Sequence, residues 1–402
     1  MVFAMAYDVA RVRGLFPSLG DGWIHLDPQA GMQIPDSVAS TVSKGFRALV
    51  SQPGGVYPAA RQSQTVIDAA RVAVADLVGG DPHGVVLGPT RGILLSTLAE
   101  VLPPRVWLGS TAVVSRLDDE PNVTVWERAA DRYGARVRWA EVDIETGELP
   151  AWQFAEILDD STAVVAVTAA SSTIGTVTDV AAIGAAAHEV GALFVVDATS
   201  AAPYSVLDIE AMGADVLVVS AERWGGPQVA ALVFRDPARI AGLRSPGLSG
   251  TTTGPGRLEV DGLQHAMLAG LASSVEHLAS LDDAATGTRR ERLVTSMTSL
   301  NTYLRRLTAY LVESVSHLSS VHLVGSPQHR VPTVSFTVDG VVADKVARRL
   351  ADNGICALVD VPNRALDVIG VRDVGGAVTI GLGQYSTPYE VDQLVRCLGS
   401  LG

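Results

Sequence analysis

Residues 214–234 read ADVLVVSAERWGGPQVAALVF. Two strand-length apolar runs flank SAERWGGP (220–227), whose Gly-Gly-Pro marks a turn. Runs that are apolar throughout, with no polar alternation, belong to strands covered on both faces. The first run therefore ends inside the protein, with Ser220, Glu222 and Arg223 hanging from its carboxyl end.

The same pattern extends outward in both directions. HGVVLG, TAVVSRL, VRWAEV, TAVVAVTAA and ALFVVDA read as further strands. Helical stretches separate them: TRGILLSTLAEVL, PNVTVWERAADRYG and VAAIGAAAHEVG. Buried strands alternating with helices predict a mostly parallel, doubly wound α/β sheet over about residues 60–260. The stretch SPGLSGTTTGPGRLEVDG (245–262), rich in Gly, Thr and Pro, reads as a long loop. Beyond it, LQHAMLAGLASSVEHLASL and RRERLVTSMTSLNTYLRRLTAYLVESV predict two long amphipathic helices. VPTVSFTV, ADKVARRLADNG, ICALV, AVTIGL and PYEVDQLVRCLGSL then give strand, helix, strand, strand, helix, a smaller α+β unit over 263–402.

Composition narrows the function classes. Of 402 residues, 48% are hydrophobic and 18% charged, as in an ordered globular protein with a large core. A net charge of −13 disfavours nucleic acid as a partner, and no basic stripe offsets it. The apolar runs are strand-sized, too short to span a membrane. The opening MVFAMAYDVARVRGLF lacks a basic stretch before its apolar residues, so a cytoplasmic location is the expectation. Cys356 and Cys397 read as core or near-core thiols without a disulfide framework. The eight histidines show no metal spacing; His317 and His322, five apart, do not share a helical face.

Ligands of open α/β sheets bind outside the carboxyl ends of strands, and three such ends carry polar groups. In GPTRG (88–92), Thr90 can cap the next helix, whose free amides hold either an anion or nothing, and Arg91 adds a charge. In VVDATSAAP (195–203), Asp197 ends an apolar strand, where a carboxylate needs a partner; Ser200 follows. SAERWGGP supplies Ser220, Glu222 and Arg223; an exposed turn would explain the two adjacent charges, but this turn follows a central strand. The acid run in RLDDEPN (116–122) reads either as a solvated loop or, through Asp118, Asp119 and Glu120, as a divalent-cation site.

As an ordered set these segments resemble the class V aminotransferases and cysteine desulfurases, fold-type I enzymes dependent on pyridoxal phosphate (PLP). The resemblance runs from IHLDPQAGMQIP (24–35) to GLGQYSTPYEVDQLV (381–395). It implies an N-terminal segment (1–25) packed on the small domain, a large domain over 26–262 with a seven-stranded type of sheet, and a small domain over 263–402. It further implies PLP as cofactor and a homodimer, for which the long helices between 262 and 315 offer apolar faces. By resemblance, GPTRG would hold the PLP phosphate and Asp197 would pair with the pyridine nitrogen.

The departures fall where the chemistry is. Arg223 stands in place of the lysine that forms the internal aldimine, and a guanidinium protonated at any working pH is no amine nucleophile. Only two lysines exist, Lys44 and Lys345, each within a predicted helix. Glu222 replaces a histidine, and Asp119 replaces the ring-stacking histidine. Ser172 in ASSTIG replaces an asparagine, and Thr379 replaces a substrate-clamping arginine. Asp261 and Gly262 replace a Gly-Thr pair, and the segment after ICALV lacks the sulfur-accepting cysteine. The expectation is that PLP is absent or held non-covalently, with Arg223, Asp197, Asp119 and Glu222 forming an ion-pair network in the old pocket. A residual binding or regulatory role would remain, toward a small anion or amino acid. The alternative is an active PLP- or PMP-dependent transferase or lyase on an amino acid or sulfur compound.

Overall fold

The structure is a computed structural model describing residues 7–102, 108–246, 253–359 and 361–401. A seven-stranded sheet forms its centre, in the order β2-β8-β7-β6-β5-β3-β4. Its strands are β2 (Val85–Gly88), β3 (Thr111–Ser115), β4 (Arg136–Ala140), β5 (Thr162–Thr168), β6 (Leu193–Asp197), β7 (Val216–Ser220) and β8 (Ala230–Phe234). Strands β4, β3, β5, β6 and β7 run parallel. Strand β8 is antiparallel to both neighbours, β7 and β2. Residues 221–229 are too few for a helical crossover, so β7 and β8 join as a hairpin around SAERWGGP. Two reversals return β2 to the direction of β7, and its carboxyl end therefore lies on the same edge as those of β3, β5, β6 and β7.

Every residue of β2, β3, β7 and β8 is buried, as continuous apolar runs require. The helices Pro58–Val78, Arg91–Val101, Thr124–Tyr133 and Val180–Glu189 cover the sheet. Gly79 and Gly134 end two of them in the left-handed conformation, which glycine adopts without a Cβ penalty.

The predicted long helices form over His265–Ala279 and Arg289–Ser316. Their apolar faces, including Leu268, Leu271, Val275, Leu300, Leu304 and Leu311, are buried within the chain. Those faces are therefore spent on the monomer's own core, which removes them as the basis for a dimer. A four-stranded antiparallel sheet follows, β12-β13-β10-β9, with β9 (Val321–Leu323), β10 (Thr333–Val338), β12 (Leu358–Val359) and β13 (Val378–Gly381). The run ICALV, expected as one strand, divides. β11 (Ile355–Cys356) pairs in parallel with β1 (Ile24–His25), while β12 turns to β13. The N-terminal strand is thereby tied to the C-terminal third of the chain.

Residues 247–252 of the expected loop and 1–6 of the N-terminus lie outside the described residues; residues 254–257 of that loop form a short 3-10 turn. No helix among the described residues is long and apolar enough to cross a membrane. Both cysteines are free, Cys397 buried and Cys356 half-buried.

Candidate functional site

Five strand ends converge on one edge of the large sheet. Gly88 ends β2, and Thr90 caps the helix Arg91–Val101 by accepting from the Ile93 amide at 3.3 Å. Arg91 is the first residue of that helix, and its side chain turns over the sheet edge. Its Nη1 donates to Asp197 Oδ2 at 2.6 Å and its Nη2 to Asp119 Oδ2 at 2.7 Å. The other oxygen of Asp197 accepts from the Thr199 amide at 2.9 Å. Asp119 Oδ1 accepts from Ser172 Oγ at 2.6 Å and from Asn363 Nδ2 at 3.4 Å. One guanidinium thus spans two carboxylates brought in from β3 and β6, with a hydroxyl from beyond β5 completing the second.

The network sits away from water: side-chain exposure is 12% for Arg91, 17% for Asp119 and 1% for Asp197. Burial works against the charge on Arg91, but Asp197 and Asp119 outweigh it and hold its pKa above the ordinary arginine range. Burial also works against the Asp119 charge. Arg91, with help from Arg223 and the Ser172 hydroxyl, outweighs it and keeps that carboxyl below its usual value.

Arg223 takes a different place from the one expected. Its Nη1 donates to the Gln29 carbonyl, and the central ion pairs belong to Arg91. Desolvation and repulsion from Arg91 lower its affinity for the proton, against attraction from Asp119, Glu222 and Asp197. The cause lies in the local backbone. Residues Ala221–Arg223 form a 3-10 turn, and Gly225 at φ +94° reverses the chain against Gln33 and Pro35. Met32 donates its amide to the Glu222 carbonyl, docking this turn on segment 29–33. Glu222 is in turn held by Ser220 Oγ, at 2.7 and 2.6 Å from its two oxygens.

The acid run departs from both of its readings. It is no solvated loop: Asp118 is fully buried. Nor does it gather to hold a cation. Asp118 bonds Ser115 Oγ and Asn122 Nδ2, Asp119 faces Arg91, and Glu120 pairs with Arg364 at 2.7 Å. Burial raises the Asp118 pKa well above the carboxylate range, against its two hydrogen bonds.

Ser200 is buried just beyond β6. Thr379 is buried on β13, where its hydroxyl meets Ser335 Oγ at 2.7 Å. Lys44 and Lys345 are exposed on the helices Asp36–Ala48 and Ala343–Asp352. Three further residues belong to this edge: Gln29, Asn363 and the buried Tyr204, whose phenol lies in the field of Arg223.

The aminotransferase class-V family signature matches residues 24–394. The chain belongs to that family. It is 56% identical over 398 residues to an uncharacterized protein of Mycobacterium tuberculosis, covering 99% of this chain and 100% of the relative. An aminotransferase-like protein of Gibberella zeae is 26% identical over 98% of each chain. A cysteine desulfurase of Yersinia pseudotuberculosis is 24% identical, again over 98% of each. Among solved structures, the apo cysteine desulfurase of Thermococcus onnurineus superposes with a TM-score of 0.87 at 22% identity, covering 98% of this chain and 97% of that one. The cysteine desulfurase CsdA of Escherichia coli gives 0.84 at 21%, over 98% of both. At such identities the structural likeness speaks for the fold.

Members of this family use PLP, and the residues on this edge fit that group poorly. Both oxygens of Asp197 are engaged, one by Arg91 and one by a backbone amide. A pyridine nitrogen would have to displace a guanidinium bound at 2.6 Å. The face where an aromatic ring would stack carries Asp119, bound to the same guanidinium. No amine stands at position 223.

Proposed function

We propose that this class-V aminotransferase-fold protein has given up internal-aldimine chemistry and keeps a binding or regulatory role. The observation that carries the reading is the Arg91 guanidinium bridging Asp197 and Asp119. A buried cation between two buried anions satisfies charges that would otherwise need a cofactor. Arg223 supports the reading in a second way, since it offers no free amine and donates to a backbone carbonyl.

In this reading the protein is cytoplasmic and acts as a homodimer. Phe46, Val50, Val56 and Tyr57 are exposed apolar side chains that a second copy would cover. Residues 26–262 and 263–402 act as large and small domains, with 1–25 packed on the latter.

The test is incubation with excess PLP, dialysis, absorbance spectroscopy, then borohydride reduction and intact-mass analysis. The expected result is no retained chromophore and no pyridoxyl adduct. A retained chromophore without an adduct would favour the alternative, a transferase or lyase with non-covalent PLP or PMP. A fixed adduct would overturn the proposal.

A further inference from the structure

A donor set away from the Arg91 network joins the two ends of the chain. Strands β1 and β11 pair in parallel with His25 opposite Cys356. Opposed residues on neighbouring strands project to the same face, as do alternate residues along one strand. His25, Asp27 and Cys356 accordingly bring one nitrogen, one oxygen and one sulfur within 4.8 Å of one another. Sequence spacing hides the set, because the sulfur lies more than three hundred residues from the imidazole.

The surroundings orient the imidazole. Its Nε2 faces Asp21 Oδ2 at 3.2 Å, and its Nδ1 faces Gln33 Nε2 at 3.2 Å. An amide nitrogen donates and a carboxylate accepts, so the proton sits on Nε2 and the Nδ1 lone pair receives the Gln33 amide. Asp27 Oδ1 lies 3.9 Å from that nitrogen and is buried without a hydrogen-bond partner. Asp21 is itself fixed by the Trp23 amide at 2.8 Å. A histidine that presents one nitrogen to a centre and gives its other N–H to a carboxylate is the arrangement metal sites use to orient a ligand.

We propose that His25 Nδ1, Asp27 Oδ1 and Cys356 Sγ form a binding site for one divalent cation of the Zn²⁺ class, with Asp21 as the positioning residue behind His25. Imidazole and thiolate together select Zn²⁺ over Mg²⁺ or Ca²⁺, which prefer oxygen. Binding releases the thiol proton, and the dication with one carboxylate and one thiolate is then neutral. Tetrahedral bonds of about 2.0–2.3 Å set ligand atoms about 3.3–3.8 Å apart. The three donors need close by only an ångström or so, and Gln33 gives up its contact with Nδ1. Water takes the fourth position, reached from the half-exposed side of Asp27. The bound ion would staple the N-terminal strand to β11. This site stands independently of the role proposed for the Arg91 network.

Chelator-treated full-length protein is titrated with Co²⁺ and the spectrum recorded, then Zn²⁺ is added. One Co²⁺ per chain is expected, with a thiolate charge-transfer band in the near ultraviolet that Zn²⁺ abolishes. His25→Gln and Cys356→Ser should lose the band, and Asp21→Asn should weaken binding about 10- to 100-fold. A Co²⁺ spectrum without the thiolate band would overturn the proposal. So would an unchanged band in a folded Asp27→Asn variant. Should a variant fail to fold, the wild-type protein decides: Zn²⁺ must slow maleimide labelling of the Cys356 peptide about tenfold or more, with the Cys397 peptide as internal reference. Equal labelling with and without Zn²⁺ refutes the site.

Discussion

Replacing Arg91 by methionine keeps much of the side-chain volume and deletes the charge between Asp197 and Asp119. Both carboxylates would remain, 1% and 17% exposed, without the guanidinium that now lies 2.6 and 2.7 Å away. Removing one partner of a buried pair costs about 3–5 kcal/mol. Two carboxylates lose their partner here, but Arg223 lies near enough to relieve Asp119 in part, so the loss should stay in that range. With an unfolding entropy of about 2.1 cal/mol/K per residue, a loss of that size lowers the Tm of a 402-residue chain by roughly 4–6 °C. The pH dependence carries the diagnostic sign. In the wild type the folded Asp119 pKa is depressed, so its stabilisation is present above the unfolded carboxylate value and fades as pH falls. In the variant one carboxyl of the pair has a raised folded pKa, and its penalty disappears as pH falls below that value. The difference between the two proteins should therefore be largest near pH 7 and narrow toward about pH 4. Chemical denaturation across that range measures it, and Asp119→Asn with Asp197→Asn should recover much of the loss. A deficit under about 1 kcal/mol at pH 7, or one flat with pH, would refute an Arg91-centred network.

Three other expectations follow from the same edge and its support. Arg223→Lys alone should take up no borohydride-fixed pyridoxyl group, because Arg91 still occupies Asp197. Adding Arg91→Thr should raise PLP uptake, and an adduct on the single variant by intact mass would show that Arg91 does not block the seat. Asp118→Asn replaces a buried acid whose folded pKa is raised, keeps its place between Ser115 and Asn122, and should change stability little in acid. Because the folded pKa of Asp118 is raised, its stabilisation is full below the unfolded carboxylate value of about 3.9 and is lost as pH rises above it, so the asparagine variant should gain on the wild type with rising pH in thermal melts. Burial, against a hydrogen bond to Gln384, holds the pKa of His277 down to about 4. Its contribution is present above the unfolded value near 6.5 and lost as pH falls, about 3 kcal/mol in all. His277→Gln should remove that slope between pH 6.5 and 4 in urea titrations.

The large sheet was legible because its strands are apolar on both faces, so VLVVS and LFVVD stand out without any partner being known. The division of ICALV into two sheets was not, since five apolar residues carry no sign of where pairing changes. The strand ends located Thr90, Asp197 and Ser220 by position alone. What spacing could not convey was which cation meets which anion. Arg91 and Arg223 are equally charged in sequence, and the choice between them depends on direction. A helix start at Arg91 throws its side chain over the sheet edge. The turn after Ser220, reversed at Gly225, aims Arg223 at segment 29–33. Gln29 lies within IHLDPQAGMQIP and Tyr204 directly after VVDATSAAP, but Asn363 arrives from a distant loop with no local pattern to mark it.

The position of Arg91 also explains why Arg223 and Asp119 are compatible with a folded protein. A family pocket that lost its lysine and its stacking ring would be left with Asp197 at a strand end, buried and unpaired, at a cost of several kcal/mol. Loss of the cofactor's partners is therefore tolerable only if another cation reaches Asp197. Arg91 does so from the helix start that the fold already places beside the strand. Once it is there, a carboxylate at 119 is favourable where a histidine would bring a second positive charge or an idle ring. Asp119 is thus paired by Arg91, and Arg223 binds a carbonyl instead. The proposed loss of aldimine chemistry then predicts that a lysine returned at 223 takes up PLP only once Arg91 is also replaced.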